Sequence, residues 1–163
     1  MALSKITNDG VAISAKPNVA FQVIATDTDQ AYTASDYAKL LWESVELDTD
    51  SYWDATNNRY TPQVAGWYLF GGGVRGNFSS IVSLMGFNIA KNGATNTNTA
   101  LMSQLQHSGD TYTNGEYHLP TGMIQLNGST DYVEAYFQSE EDCTLHDNAL
   151  RKSFFWGTLV HPT

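Results

Sequence analysis

An all-β chain folded as a sandwich or jelly roll is the class this sequence predicts, and three observations carry it. Charged residues make up only 15% of the chain against 42% apolar. Its surface must therefore be dressed with Asn, Thr, Ser, Gln and Gly, a poor recipe for a helical bundle, which draws on Glu, Lys, Arg and Ala. Nine Tyr, seven Phe and four Trp suit the pleated surface of strands. Apolar residues also alternate in about eight to ten short runs that break at Gly, Asn, Asp and Pro, the spacing of a sandwich or jelly roll. A length of 163 residues fits one domain with a sizeable core.

Residues 1–17 stand apart. Leu3, Ile6, Val11 and Ile13 are isolated apolar residues in a polar stretch closed by Pro17. That is too sparse for a domain; it reads as a frayed terminus or as an extended arm that orders against a partner. The head runs from 18 to 163. In NVAFQVIA, Val19, Phe21 and Val23 share a face, and ASDYAKLLW has a helical look over about one turn. LLWESVEL places Leu41, Val45 and Leu47 together beside Glu43. In WDATNNRYTP the Asp54 carboxylate is placed to accept backbone N–H bonds in the following turn. Asn57-Asn58 suit the positive φ angles of that turn. Tyr60, Tyr68 and Phe70 are expected core residues, with Trp67 and Leu69 on the other face of GWYLF. IVSLMGFNIAKNG runs to a Lys-Asn-Gly turn, MIQLNGSTDYVEAYFQ reads as two strands joined at Asn127-Gly128, and SFFWGTLVH makes the last strand. There is no internal repeat.

Trp53-Asp54 through Arg59-Tyr60, followed by Val64-Ala65-Gly66-Trp67-Tyr68-Leu69-Phe70, resembles the C1q/TNF-like domain, with its aromatic-Asp, tight turn, basic residue, aromatic, and then Pro-Gly-x-Tyr-x-Phe. Phe21, the run Phe87 to Gly93, a hairpin over Met123 to Phe137 and the strand Ser153 to Val160 extend the likeness over about residues 19–161. Asn57-Asn58 replaces the usual Thr-Gly and Ala65 the usual Pro. The resemblance implies a ten-stranded jelly-roll sandwich that forms a tight homotrimer and serves as a non-catalytic binding head. Phe21, Tyr60, Tyr68, Phe70, Tyr136 and Phe155 are then core or trimer-interface residues. The opening Met-Ala-Leu-Ser-Lys-Ile-Thr is similar to the start of many bacteriophage fibre and virion surface proteins.

Composition and motifs argue against most chemistry. Seventeen acidic against eight basic residues give a net charge of −9, which repels nucleic-acid backbones. No basic run offers a membrane patch, and no window reaches transmembrane length. Cys143 stands alone beside Glu140, Glu141 and Asp142, which disfavour a thiolate. No apolar core of signal-peptide length follows Met1. GGGVRG, residues 71–76, spells a dinucleotide loop, but β-branched and aromatic residues follow where a helix is needed; a bulge or close packing suits it better. Asp27/Asp29 and Asp48/Asp50 with Asp54 are weak calcium candidates, because the EF-hand spacing breaks at Tyr52 and lacks its Gly. His107, His118, His146 and His161 are scattered, and no Gly-x-Ser-x-Gly elbow is present. Paired carboxylates for glycoside hydrolysis have no positive support.

The expectation is therefore a non-enzymatic virion structural protein, a trimeric capsid decoration or head-fibre protein. It would be made without a signal peptide in the host cytoplasm and attached to capsid or tail proteins through Leu3, Ile6, Val11 and Ile13. The alternative is the glycan- or receptor-binding tip of a tail fibre, with Tyr112 and Tyr117 as a sugar platform in the polar loop HSGDTYTNGEYH. No cofactor is expected.

Overall fold

The computed structural model of the chain describes residues 18–26, 28–78, 82, 84–94, 101–106, 114–117, 120–146 and 152–163. Fifteen strands and no helix lie among them: β1 Ala20–Ile24, β2 Gln30–Tyr32, β3 Ser35–Lys39, β4 Ser44–Asp48, β5 Trp53–Asp54, β6 Arg59–Tyr60, β7 Gly66–Gly73, β8 Arg75–Phe78, β9 Leu84–Lys91, β10 Leu101–Gln106, β11 Asn114–Tyr117, β12 Thr121–Leu126, β13 Val133–Ser139, β14 Cys143–Leu145 and β15 Phe154–Pro162. One sheet has the order β12-β7-β15-β1-β4. A second has the order β10-β9-β13-β6-β5, with β3 also on β13, and a small third has the order β11-β8-β14-β2.

The expected ten strands are exceeded for a physical reason. β7 breaks at Val74 and resumes as β8, and β13 breaks after Ser139 and resumes as β14. Each continuation leaves its sheet and pairs again, β8 with β14 and β14 with β2, closing one end of the sandwich.

Alternation sorts the strands' faces. Val19, Phe21 and Val23 point inward, as do Tyr68 and Phe70 of β7 and Val133, Ala135 and Phe137 of β13, all at most 1% exposed. The two large sheets meet in an aromatic stack. Phe21 lies 4.1 Å from Tyr60 and 5.5 Å from Trp53, centroid to centroid, with Phe155 edge-on at 5.0 Å. The glycine run of β7 lets rings pass close by. A β-carbon on Gly71 would sit 2.7 Å from the Trp156 ring, and one on Gly72 equally close to Phe87. A strand, not a helix, follows the run, which removes the geometry a dinucleotide loop needs.

Three local expectations are corrected. The stretch with the helical look is β3, an extended strand held on β13 with Lys39 opposite Tyr136; sheet pairing overrides local propensity. Residues 123–137 form no hairpin. β12 pairs with β7 in one sheet and β13 with β9 in the other, so the chain crosses the sandwich at Asn127. There the Asn127 side-chain oxygen accepts the N–H groups of Ser129, Thr130 and Asp131, making a wide turn. In the β5–β6 turn only Asn58 has positive φ, 48°; Asn57 instead spends its side chain and N–H on Asp54.

Candidate functional site

β7 is apolar on both faces. Its inward residues fill the core, and Trp67 and Leu69 face outward. Register carries that outward face across the sheet: Met123, Leu69, Thr158 and Ala20 form one row. Thr121, Gly71, Trp156, Gln22 and Leu47 form a second that spans all five strands. Neither row holds a charged residue, in a chain whose charged side chains number 25 (17 acidic plus 8 basic). Trp67 is 40% exposed, Met123 54%, Val160 43% and Leu47 46%. Contiguous uncharged rows with large apolar side chains open to water, bordered by Glu46 at the β4 edge, are the signature of an interaction surface.

The other large sheet differs. On its outward face Glu134 is buried, its carboxylate paired with the Lys39 ammonium and accepting the Tyr136 hydroxyl at 2.6 Å. Burial, then Glu134 as acceptor of its proton, holds the Tyr136 phenol above its usual range. Nearby, the Arg59 guanidinium lies over the Tyr132 ring, 4.8 Å from its centroid, and its Nε donates to Asp54 at 3.2 Å. These groups satisfy one another and fix the surface.

Of the residues expected at the core or a subunit interface, Phe21, Tyr60, Tyr68, Phe70 and Phe155 are all in the interior of the single chain. Tyr136 is half-buried on the outward face of the second sheet. The exposed apolar side chains Trp67 and Met123 sit at the alternate, outward positions of β7 and β12. In GWYLF the sequence placed Trp67 and Leu69 on the face opposite Tyr68 and Phe70, and that is where they lie.

Asp27 lies outside the described residues, and the other calcium candidates form no cluster among the described ones. Asp48 accepts the N–H groups of Tyr52 and Trp53, and Asp50 accepts the Thr49 hydroxyl. Asp54 is held below its ordinary range first by the Asn57 side chain, then by the Asn57 N–H. No cluster of three or more metal-ligating side chains occurs among the described residues. Cys143 is buried, and burial followed by the Asp142 charge pushes its thiol up to about 12, away from nucleophilic use. Leu3, Ile6, Val11, Ile13 and Tyr112 lie outside the described residues, as does the side chain of Tyr117 on β11.

No protein-family model and no curated protein matches the sequence. Solved structures do match the fold. The globular domain of zebrafish complement 1qA superposes with a TM-score of 0.56 at 13% identity, over 89% of this chain and 99% of that one. Murine APRIL at pH 5.0 gives 0.60 at 11% identity, over 88% of this chain and 99% of that one. APRIL at pH 8.5 gives 0.59 at 13%, with the same coverage. The fold is C1q/TNF-like. At these identities the likeness speaks for the C1q/TNF-like architecture alone.

Proposed function

We propose that this chain is a homotrimeric, non-enzymatic surface module, and that it serves as a capsid decoration or head-fibre protein of a virion, held there by residues 1–17. The observation that carries the assembly is the pair of uncharged outward rows across the β12-β7-β15-β1-β4 sheet, with Trp67, Met123 and Val160 in the open. A second copy is the occupant that fits it. Those rows offer no charged group for a charged partner to pair, and a patch without charge lets a chain of net charge −9 approach its own copies with little repulsion. Three copies rather than two follow the resemblance to C1q/TNF-like heads. The virion role rests on the opening residues and on the arm-plus-head layout read from the sequence.

Sedimentation equilibrium tests the assembly. The expected mass is three times the chain's 17.9 kDa, falling to one chain in Met123→Glu and Trp67→Glu, which put carboxylates on the face. A monomeric parent protein rejects the assembly, and a trimer unaffected by both substitutions rejects this face. Deleting residues 1–16 should leave the trimer intact and abolish its joining to particles; retained attachment rejects the arm.

A further inference from the structure

His146, immediately after β14, has a φ of 68°, in the left-handed region that is uncommon for residues with a β-carbon, although less so for His. Its N–H donates to the Arg75 carbonyl at 2.9 Å, and the residue is 3% exposed. Neither imidazole nitrogen has a hydrogen-bond partner. Trp42 lies against it, ring centroids 5.8 Å apart, is itself 6% exposed, and its indole N–H is also unpaired. Buried polar atoms are almost always bonded, so three orphans at one place mark a spot that something else completes.

His146 opens onto a cavity of about 510 Å³ whose other walls include Asp29, Gln30, Ala31, Leu41 and Glu43, within the size range of roughly 300–1,000 Å³ for ligand pockets. Its walls are held. The Gln30 amide bridges the Lys39 carbonyl and the Leu41 N–H, and the Glu43 carboxylate accepts both the N–H and the hydroxyl of Thr26. Burial keeps the imidazole at about 4, against the opposing pull of Glu43 and then Asp29. At neutral pH it therefore offers one donor and one acceptor.

These groups choose the ligand's chemistry. Two carboxylates with no cation among the lining residues repel phosphates and acidic sugars. An ammonium has no lone pair for the imidazole N–H. A hydroxyl both donates and accepts, so it serves the imidazole and the carboxylates alike, while Ala31 and Leu41 meet carbon–hydrogen surface. We infer that this cavity binds a neutral sugar residue, held by His146, Glu43 and Asp29 of its wall, with Trp42 packed behind the imidazole. The site lies within a single chain, and the inference stands whether or not the chain assembles.

The test uses the full chain labelled with ¹⁵N. Its four tryptophans give separate indole N–H signals, and Trp42→Phe identifies that of Trp42. The probes are the methyl glycosides of glucose, galactose, mannose, fucose, N-acetylglucosamine and N-acetylgalactosamine. Each is titrated to ~10 mM, about tenfold above a millimolar Kd, with N-acetylneuraminic acid as the anionic comparison. The expected result is a saturable shift of the Trp42 indole signal with at least one neutral glycoside and none with the acid. Asp29→Ala, at an exposed position, should weaken that binding at least tenfold with the spectrum otherwise preserved. His146→Asn, which tolerates the backbone angle, should do the same. No shift with any neutral glycoside overturns the inference. So does equal binding of the acid, or unchanged affinity in Asp29→Ala.

Discussion

Lys39→Met is expected to destabilise the domain by about 3 kcal/mol, much more than loss of a surface lysine. Glu134 is on the outward face of β13 but is only 4% exposed, and its carboxylate is met by the Lys39 ammonium and the Tyr136 hydroxyl. The same ammonium donates to the Asn57 carbonyl at 2.7 Å, tying β3 to the β5–β6 turn. Removing one side of a buried ion pair costs roughly 3–5 kcal/mol, because the partner charge stays buried. The lower end applies here, since Tyr136 still donates and the Lys39 side chain is 33% exposed. Glu134→Gln should cost about half as much: it keeps an acceptor for Tyr136 and frees an ammonium that can reach water. Lys39→Met/Glu134→Leu should recover most of the loss, because no charge is left to desolvate. Urea unfolding at one fixed chain concentration measures all three, the concentration being held because association contributes to apparent stability. The single Lys39→Met change should lower Tm by about 6–12 °C at roughly 2–4 °C per kcal/mol for a domain of this size. A loss within about 0.5 kcal/mol of zero, the range of exposed pairs, would refute the reasoning. A double variant no more stable than Lys39→Met would do so too.

Acid should weaken the fold through Asp131. Burial acts to raise this carboxyl, but bonds from Lys91, Asn92 and the Asn127 N–H outweigh it and hold it below its ordinary range. A depressed folded value contributes stability above the unfolded value, lost as pH falls through the folded one. Asp131→Asn should therefore be less stable by about 1–3 kcal/mol at pH 7, with the gap closing toward pH ~3 in chemical denaturation. Gly157→Ala would place a methyl 2.4 Å from the Phe70 ring and 2.8 Å from Phe21; overpacking of about 1–3 kcal/mol is expected as a lowered denaturation midpoint. Cys143 should resist a thiol reagent at pH 8 in the native chain and react once per chain after unfolding. Fast native labelling would contradict its burial.

Short-range alternation made the core legible. Val19, Phe21 and Val23, then Tyr68 and Phe70, were separable from their neighbours by a period of two alone. Asp54 was legible as a turn residue, because its carboxylate reaches the Asn57 N–H three positions on. What escaped depends on distance in the chain. β3 is a strand because β13, about a hundred residues later, supplies its ladder and Glu134 its counter-charge. The crossing at Asn127 looked like a hairpin because Asn-Gly suits tight turns, and local sequence cannot tell which sheet each flanking strand joins. His146 was one of four scattered histidines. Its setting is made by Trp42 and Glu43 from the other end of the chain.

The functional reading turns on the same contrast between one face of a strand and the other. A strand that packs on one side and meets water on the other alternates apolar and polar residues. β1 does so, with Gln22 exposed between Phe21 and Val23. β7 does not: Trp67 and Leu69 lie outside, Tyr68 and Phe70 inside, and Gly71 lets Trp156 lie flat over the outward surface. Core packing explains only the inward residues. The outward ones cost solubility in an isolated chain, in which carboxylates outnumber cations and are spread elsewhere. That surplus of apolar surface at the centre of one sheet is what the proposed assembly would cover, and rows without charge are a surface that a strongly acidic chain can bring against its own copies with little repulsion.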